Sequence, residues 1–190
     1  MIFRKEFSLL FLSLEFDWIS VCSVVNSFKD KSMITFSRSL LVGGELLNDS
    51  LLRLHGILED PIYAMEIQMD IRVSDGVIMA IQGWMKRYTT PVCPKAVDVL
   101  QKAVGMSLRE DGWSARVQRE IGRSGCQHLV EILVECGRCL DSARMAQFVG
   151  QTLNNEPHLP LPSVTRSWVE GHPEVQGSCL ARPKRKMNAH

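Results

Sequence analysis

The chain has 190 residues, 45% of them hydrophobic and 23% charged, with a formal net charge of +1; this is the make-up of an ordinary globular protein long enough to bury a core. Between Met33 and Gly150, 13 Lys and Arg stand against 14 Asp and Glu, a net charge of −1, so that stretch offers no general field for phosphate and nucleic acid is not expected as a partner. Six cysteines (Cys22, Cys93, Cys126, Cys136, Cys139 and Cys179) are scattered over the chain; a core of this size needs no staples, which points away from a secreted disulfide framework and toward a reducing cytoplasm.

At the N-terminus, Arg4 and Lys5 precede FSLLFLSL, an apolar run of signal-peptide length. Glu15 and Asp17 interrupt it and no small-x-small cleavage site follows. The run is also shorter than the roughly 20 apolar residues of a membrane span, so no membrane is expected. Residues 1–32 show no sustained period, and a regular pattern begins only at MITFSRSLLV, from Met33. They are expected to be an extension, either disordered or lying upstream of a translation start at Met33; an extra helix packed on the domain is the alternative. The domain itself is expected over residues 33–150.

From Leu51 the pattern is that of β-structure. In LLRLHGIL, Leu52, Leu54, Gly56 and Leu58 alternate with Arg53 and His55, and the run ends at the turn cluster EDP. Met65, Ile67, Met69, Ile71 and Val73 then alternate with Glu66, Gln68, Asp70 and Arg72, the period of a strand with one buried face. Ser74-Asp75-Gly76 supplies a tight turn, and VIMAIQGWMKRY returns as a further strand in which Gly83 is expected to mark a bulge or bend. These strands form an antiparallel meander of three, or four if ITFSRSLLV also pairs, with one face in need of a cover.

Three helices follow to supply that cover. TTPVCPKAVDVLQKAVG opens a helix at Pro94, where a missing N–H costs nothing, and stops at Gly105; DGWSARVQREIG is shorter and closes at Gly122. The longest is expected from near Ser124 to about Val149. At about 100° per residue, Leu129, Ile132, Leu133, Cys136, Leu140 and Ala143 share one side, with Glu131, Glu135, Arg138 and Ser142 opposite. After Gly150, five of the eight prolines crowd the last 40 residues, and residues 151–190 are expected to be an irregular or disordered tail carrying a small basic patch, RPKRK. The fold class is therefore α+β: an antiparallel three- to four-stranded meander covered on one face by three helices.

Chemistry, if present, is expected at helix starts. Cys93 and Cys126 fall at or beside the first turn of a helix, where unpaired N–H groups favour an anion, so each is a candidate thiolate; an apolar packing role is the simpler alternative. On a helix regular from its first residue, Cys126 and His128 would project about 160° apart. With Cys126 in the capping turn that geometry no longer applies, and spacing alone leaves both open. Glu131 and Glu135 lie at i+3 and i+7 from His128, where a carboxylate could fix its tautomer. The CxxC of Cys136 and Cys139 lies in mid-helix without a second ligand pair and is expected to be structural, and His55 is a remaining candidate ligand with nothing in the sequence to draw it toward the others. The phosphate-binding loop, dinucleotide fingerprint, H-E-x-x-H and G-x-S-x-G motifs are all missing from the sequence, which removes the common nucleotide-dependent, zincin and α/β-hydrolase classes.

The runs YTTPVCPKA, VGMSLREDGW and GRSGCQHLVEIL, together with the upstream FSRS, resemble a bacterial domain-of-unknown-function family with a Pro-x-Cys segment and a G-C-x-H-L helix start. The resemblance covers roughly Phe36 to Phe148. It implies that Cys93, Cys126 and His128 are family-typical positions, while Cys136, Cys139 and both tails fall outside its pattern; it implies no activity.

Three functions fit. The first is a small-molecule or metal-binding domain in which Cys93, Cys126 and His128 would suit zinc or iron with one position left open. The second is a cysteine-dependent enzyme acting on a small electrophilic substrate, with Cys126 as nucleophile and His128, oriented by Glu131 or Glu135, moving the proton. The third is a structural or protein-interaction module in which the cysteines pack and the sheet edge or the tail binds a partner.

Overall fold

The computed structural model describes residues 34–179 and residue 182. The apolar run after Lys5, the start at Met33 and most of RPKRK lie outside the described residues. The chain divides into two units, residues 1–37 and 38–190, and every element below belongs to the second.

Four strands, β1 (Ser39–Asn48), β2 (Leu51–Glu59), β3 (Ala64–Arg72) and β4 (Ile78–Arg87), form one antiparallel sheet in the order β1-β2-β3-β4. ITFSRSLLV thus contributes the fourth strand, although pairing begins only at Ser39. A 3-10 helix, α1 (Cys93–Ala103), follows. Next come α2 (Trp113–Val117), which continues as a π turn to Gly122, then α3 (Gln127–Asn155) and α4 (Leu161–Gly171). The expected α+β class, with an antiparallel meander and helices on one face, is what the chain forms.

The alternation in sequence becomes the two faces of the sheet. Leu52, Leu54, Leu58, Met65, Ile67, Met69 and Ile71 are buried under the helices together with Leu100, Leu129, Ile132, Leu133, Cys136 and Leu140. Removing each such side chain from water contributes about 1.5–3 kcal/mol. On the other face Arg53, His55, Glu66, Gln68 and Asp70 stay partly exposed and pair across strands: Arg53 with Asp70 at 2.7 Å, and His55 with Glu66 at 3.3 Å. The β3–β4 turn closes as its sequence requires. Gly76 adopts φ 72° and donates its N–H to the Arg72 carbonyl, while Arg72 and Asp75 pair at 2.7 Å.

Two glycines set how closely the helices approach. A Cβ on Gly56 would stand 2.3 Å from Ile132 Cγ2 and 2.6 Å from Cys136 Sγ, so α3 lies directly on β2. Gly83 corrects the sequence expectation. It pairs in regular register with Ile67, and the irregularities of β4 fall at Lys86 and Met79 instead. The reason for glycine there is space: an added Cβ would sit 2.7 Å from Leu100 Cδ1 of α1.

Two helix ends also differ from expectation. Gly105, at φ 86°, follows α1 as foreseen, but Gly122 lies inside the π turn and has no left-handed backbone. The stretch expected to be irregular after Gly150 contains five further residues of α3 and the whole of α4. Val164 and Trp168 of α4 are buried, and Pro162 lies in its first turn, where a missing N–H costs nothing. Clustered prolines therefore mark the joint between helices rather than the absence of structure.

Candidate functional site

One end of the sheet gathers the candidate residues. The β2–β3 turn is held by Asp60, whose side chain has 0% exposure. Its Oδ1 accepts the backbone N–H groups of Ile62 at 2.8 Å and Tyr63 at 2.7 Å, an Asx turn. Its Oδ2 receives the Arg38 guanidinium at 2.8 and 2.9 Å. Burial works against ionising this carboxyl, but the two N–H groups and Arg38 outweigh it and hold Asp60 below the ordinary carboxylate range. Arg87, at the end of β4, donates to the Asp60 and Tyr63 carbonyls and ties that strand to the same turn.

The start of α3 docks on this turn by two arms. The Tyr63 ring packs against the His128 imidazole with centroids 4.1 Å apart and planes tilted by 37°. Arg38 reaches past Asp60 to Glu131 Oε2 at 3.1 Å. Asp60 is thus the hinge of the assembly. It fixes Tyr63 through the backbone and Arg38 through charge, and each of these holds a residue in the first turns of α3.

Cys126 is the N-cap residue of α3, with extended backbone (φ −129°, ψ 126°) and its carbonyl accepting the Val130 N–H. Because it precedes the first helical residue, the angular separation of a regular helix does not apply. Its sulfur stands 3.8 Å from His128 Nδ1. The thiol makes no cap hydrogen bond of its own. Both side chains are half-buried, so the pair is held by packing yet reachable.

Cys93 opens α1 and is half-buried. Its sulfur lies 3.3 Å from Thr90 Oγ1 and 3.9 Å from Thr89 Oγ1. The Thr90 hydroxyl and backbone N–H, against slight burial and with help from Thr89, hold the Cys93 thiol below its ordinary value. Cys93 does not join Cys126 and His128 in a common ligand set: among the described residues no group of three or more His, Cys, Asp or Glu side chains could hold a metal ion. Glu131 turns to Arg38, and Glu135 pairs with Arg138 at 3.5 Å. His55 is occupied by Glu66 on the open face of the sheet. In the CxxC segment, burial pushes the Cys136 thiol up to about 12, with Cys139 and Glu135 adding to it, and burial likewise raises Cys139. Both are poor nucleophiles.

Sequence reasoning singled out Cys126, His128, Cys93 and Glu131 but passed over Asp60, Tyr63 and Arg38. The signal was faint: an Asp ahead of a proline marks a turn, and nothing local says that the turn will meet a helix start more than sixty positions later in the chain.

Residues 49–140 match the model of a family described as "Protein of unknown function (DUF2889)". The matched stretch runs from the β1–β2 turn to the middle of α3, so Asp60, Tyr63, Cys93, Cys126, His128 and Glu131 fall inside it, and β1 and α4 fall outside. The resemblance to a domain-of-unknown-function family is thus borne out over that stretch. No curated protein and no solved structure matches the chain. No helix among the described residues is long and apolar enough to cross a membrane.

Proposed function

We propose that the protein performs thiol chemistry on a small electrophilic molecule, with Cys126 as the nucleophile and His128 as the group that takes its proton. The observation that carries this reading is the 3.8 Å approach of Cys126 Sγ to His128 Nδ1 at the head of a 29-residue helix. A nucleophile and base within reach of one another, with the base fixed by a third group, is the general arrangement of an activated cysteine. Here the third group is the Tyr63 ring, itself pinned by Asp60. The thiol proton passes to Nδ1, which requires the imidazole to carry its other proton on Nε2, and the sulfur attacks the electrophilic centre as a thiolate. Unpaired N–H groups at the start of α3 face negative charge developing at the same end. A free thiol of this kind fits a reducing, cytoplasmic setting.

The test is alkylation by iodoacetamide at pH 7, with each cysteine followed by mass spectrometry of its peptide. Cys126 should react faster than a free thiol, and His128→Ala should slow it while leaving the rate at Cys93 unchanged. A Cys126 that reacts no faster than an unstructured cysteine would end this reading.

A further inference from the structure

β1 is an edge strand: among the described residues only β2 pairs with it. Alternate residues along its outer side therefore direct N–H and C=O groups away from the sheet. Proteins usually blunt such an edge by shortening it or by placing charges or proline on it. β1 has ten residues, SLLVGGELLN, with no proline and one charge, Glu45, and Leu41 is 63% exposed. Over this edge runs the second half of α3, where Ala143 Cβ would stand 3.2 Å from a Cβ on Gly44. Val42, Gly43 and Gly44 with Cys139, Ala146 and Gln147 line a mostly apolar cleft of about 440 Å³ between strand and helix. The open edge and the apolar cleft beside it suit a strand laid along β1, with apolar side chains on the helix side.

We propose that this strand is β1 of a second copy of the chain, paired antiparallel about Gly43 so that the two four-stranded sheets join edge to edge. In such a pair the helix-covered faces stay on one side only if the two opposed residue numbers sum to an even number. Centring on Gly43 sets Leu40 opposite the second copy's Leu46, and Val42 opposite its Gly44, so large side chains meet large or empty positions. Charge selects the same register. It leaves the two Glu45 carboxylates about 14 Å apart along the strands, beyond a Debye length, whereas centring on Gly44 brings them to about 7 Å. The area also suffices. A strand of this length is about 34 Å long and a sheet edge about 10 Å deep, and the α3 face beyond it adds about 170 Å². The projected footprint is therefore about 500 Å² per copy, or roughly 1,000 Å² in all, the size that a specific interface clears.

Sedimentation of the full chain at micromolar concentration tests this. The wild type should sediment as a dimer. Gly43→Lys should sediment at half that mass while keeping the circular dichroism spectrum of the wild type, because a Cβ at Gly43 meets nothing within 4 Å in the single copy while two ammonium groups would face each other on the axis. Gly43→Cys should form an intermolecular disulfide on mild oxidation, since residues opposed across an antiparallel pair have Cα atoms about 5 Å apart. Glu45→Cys, off the axis, should not. A monomeric wild type would leave the edge to an extended segment of another protein and overturn the proposal. So would a dimer that survives Gly43→Lys, or the lack of a disulfide in Gly43→Cys.

Discussion

The contact of α3 with β2 at Gly56 decides where the helix start, and with it Cys126 and His128, is held. Consider Gly56→Ala. The new Cβ would lie 2.3 Å from Ile132 Cγ2 and 2.6 Å from Cys136 Sγ, where ordinary contact is about 3.5–4.0 Å. Two atoms on successive turns of α3 are each about 1 Å or more too close. Ile132 is β-branched and has one strongly preferred rotamer in a helix, so it cannot swing aside cheaply. The helix must lift from the sheet instead, and overpacking of this kind costs about 1–3 kcal/mol. Restricting the unfolded chain by replacing glycine returns about 0.4–1 kcal/mol. The net expectation is a loss of about 1–2 kcal/mol, or about 2–8 °C in melting temperature for a domain of this size. Thermal and urea denaturation followed by circular dichroism measure it. Removing one of the two obstacles should relieve part of the cost, so Gly56→Ala and Cys136→Ala should combine less than additively. If Gly56→Ala melts at or above the wild-type temperature, or the two changes add, the reasoning fails.

Three further outcomes are expected. In native labelling, Cys136, with its thiol raised to about 12 and buried under α3, should stay unmodified until the protein unfolds. Cys93 should instead alkylate with a midpoint below that of a free cysteine, and Thr90→Val should move that midpoint up; an unmoved midpoint would remove the Thr90 hydroxyl as its cause. Because Asp60 is held below the ordinary carboxylate range, its contribution to stability is fully present above that range and is lost as pH falls through the lowered value. Asp60→Asn keeps an oxygen for the Ile62 and Tyr63 N–H groups but loses the charge that grips Arg38. It should be less stable than the wild type at neutral pH and converge with it in acid. Urea midpoints from about pH 7 down to about pH 2, below the ordinary carboxylate range, show this; a gap that is constant with pH would refute it.

Much of the architecture was legible in the sequence because it rests on short-range periodicity. The alternation from Met65 to Val73 is a strand in any context that buries one face, and the stripe from Leu129 to Leu140 is buried as its spacing requires. Gly76 had to be a turn because its backbone must reach positive φ. The site was legible only in part. Cys126 and His128 could be named, but whether they meet depends on Cys126 keeping the extended backbone of a cap, which a two-residue spacing does not encode.

Other features depended on which surfaces finally met. α4 looked irregular because its prolines break local pattern, yet Val164 and Trp168 are buried, an outcome set by packing and not by propensity. Gly83 read as a bend when its actual role is to admit Leu100, since a missing side chain has the same appearance in sequence whether it frees the backbone or makes room for a neighbour. By itself the sequence determined the strands, the long helix and the sheet face that needed a cover, because hydrophobic period and turn chemistry act within a few residues. Only the tertiary structure decided that Glu131 turns to Arg38 and that Cys93 stays apart from Cys126 and His128. Contacts between residues tens of positions apart are fixed by how packed layers cross, and no local period records that crossing.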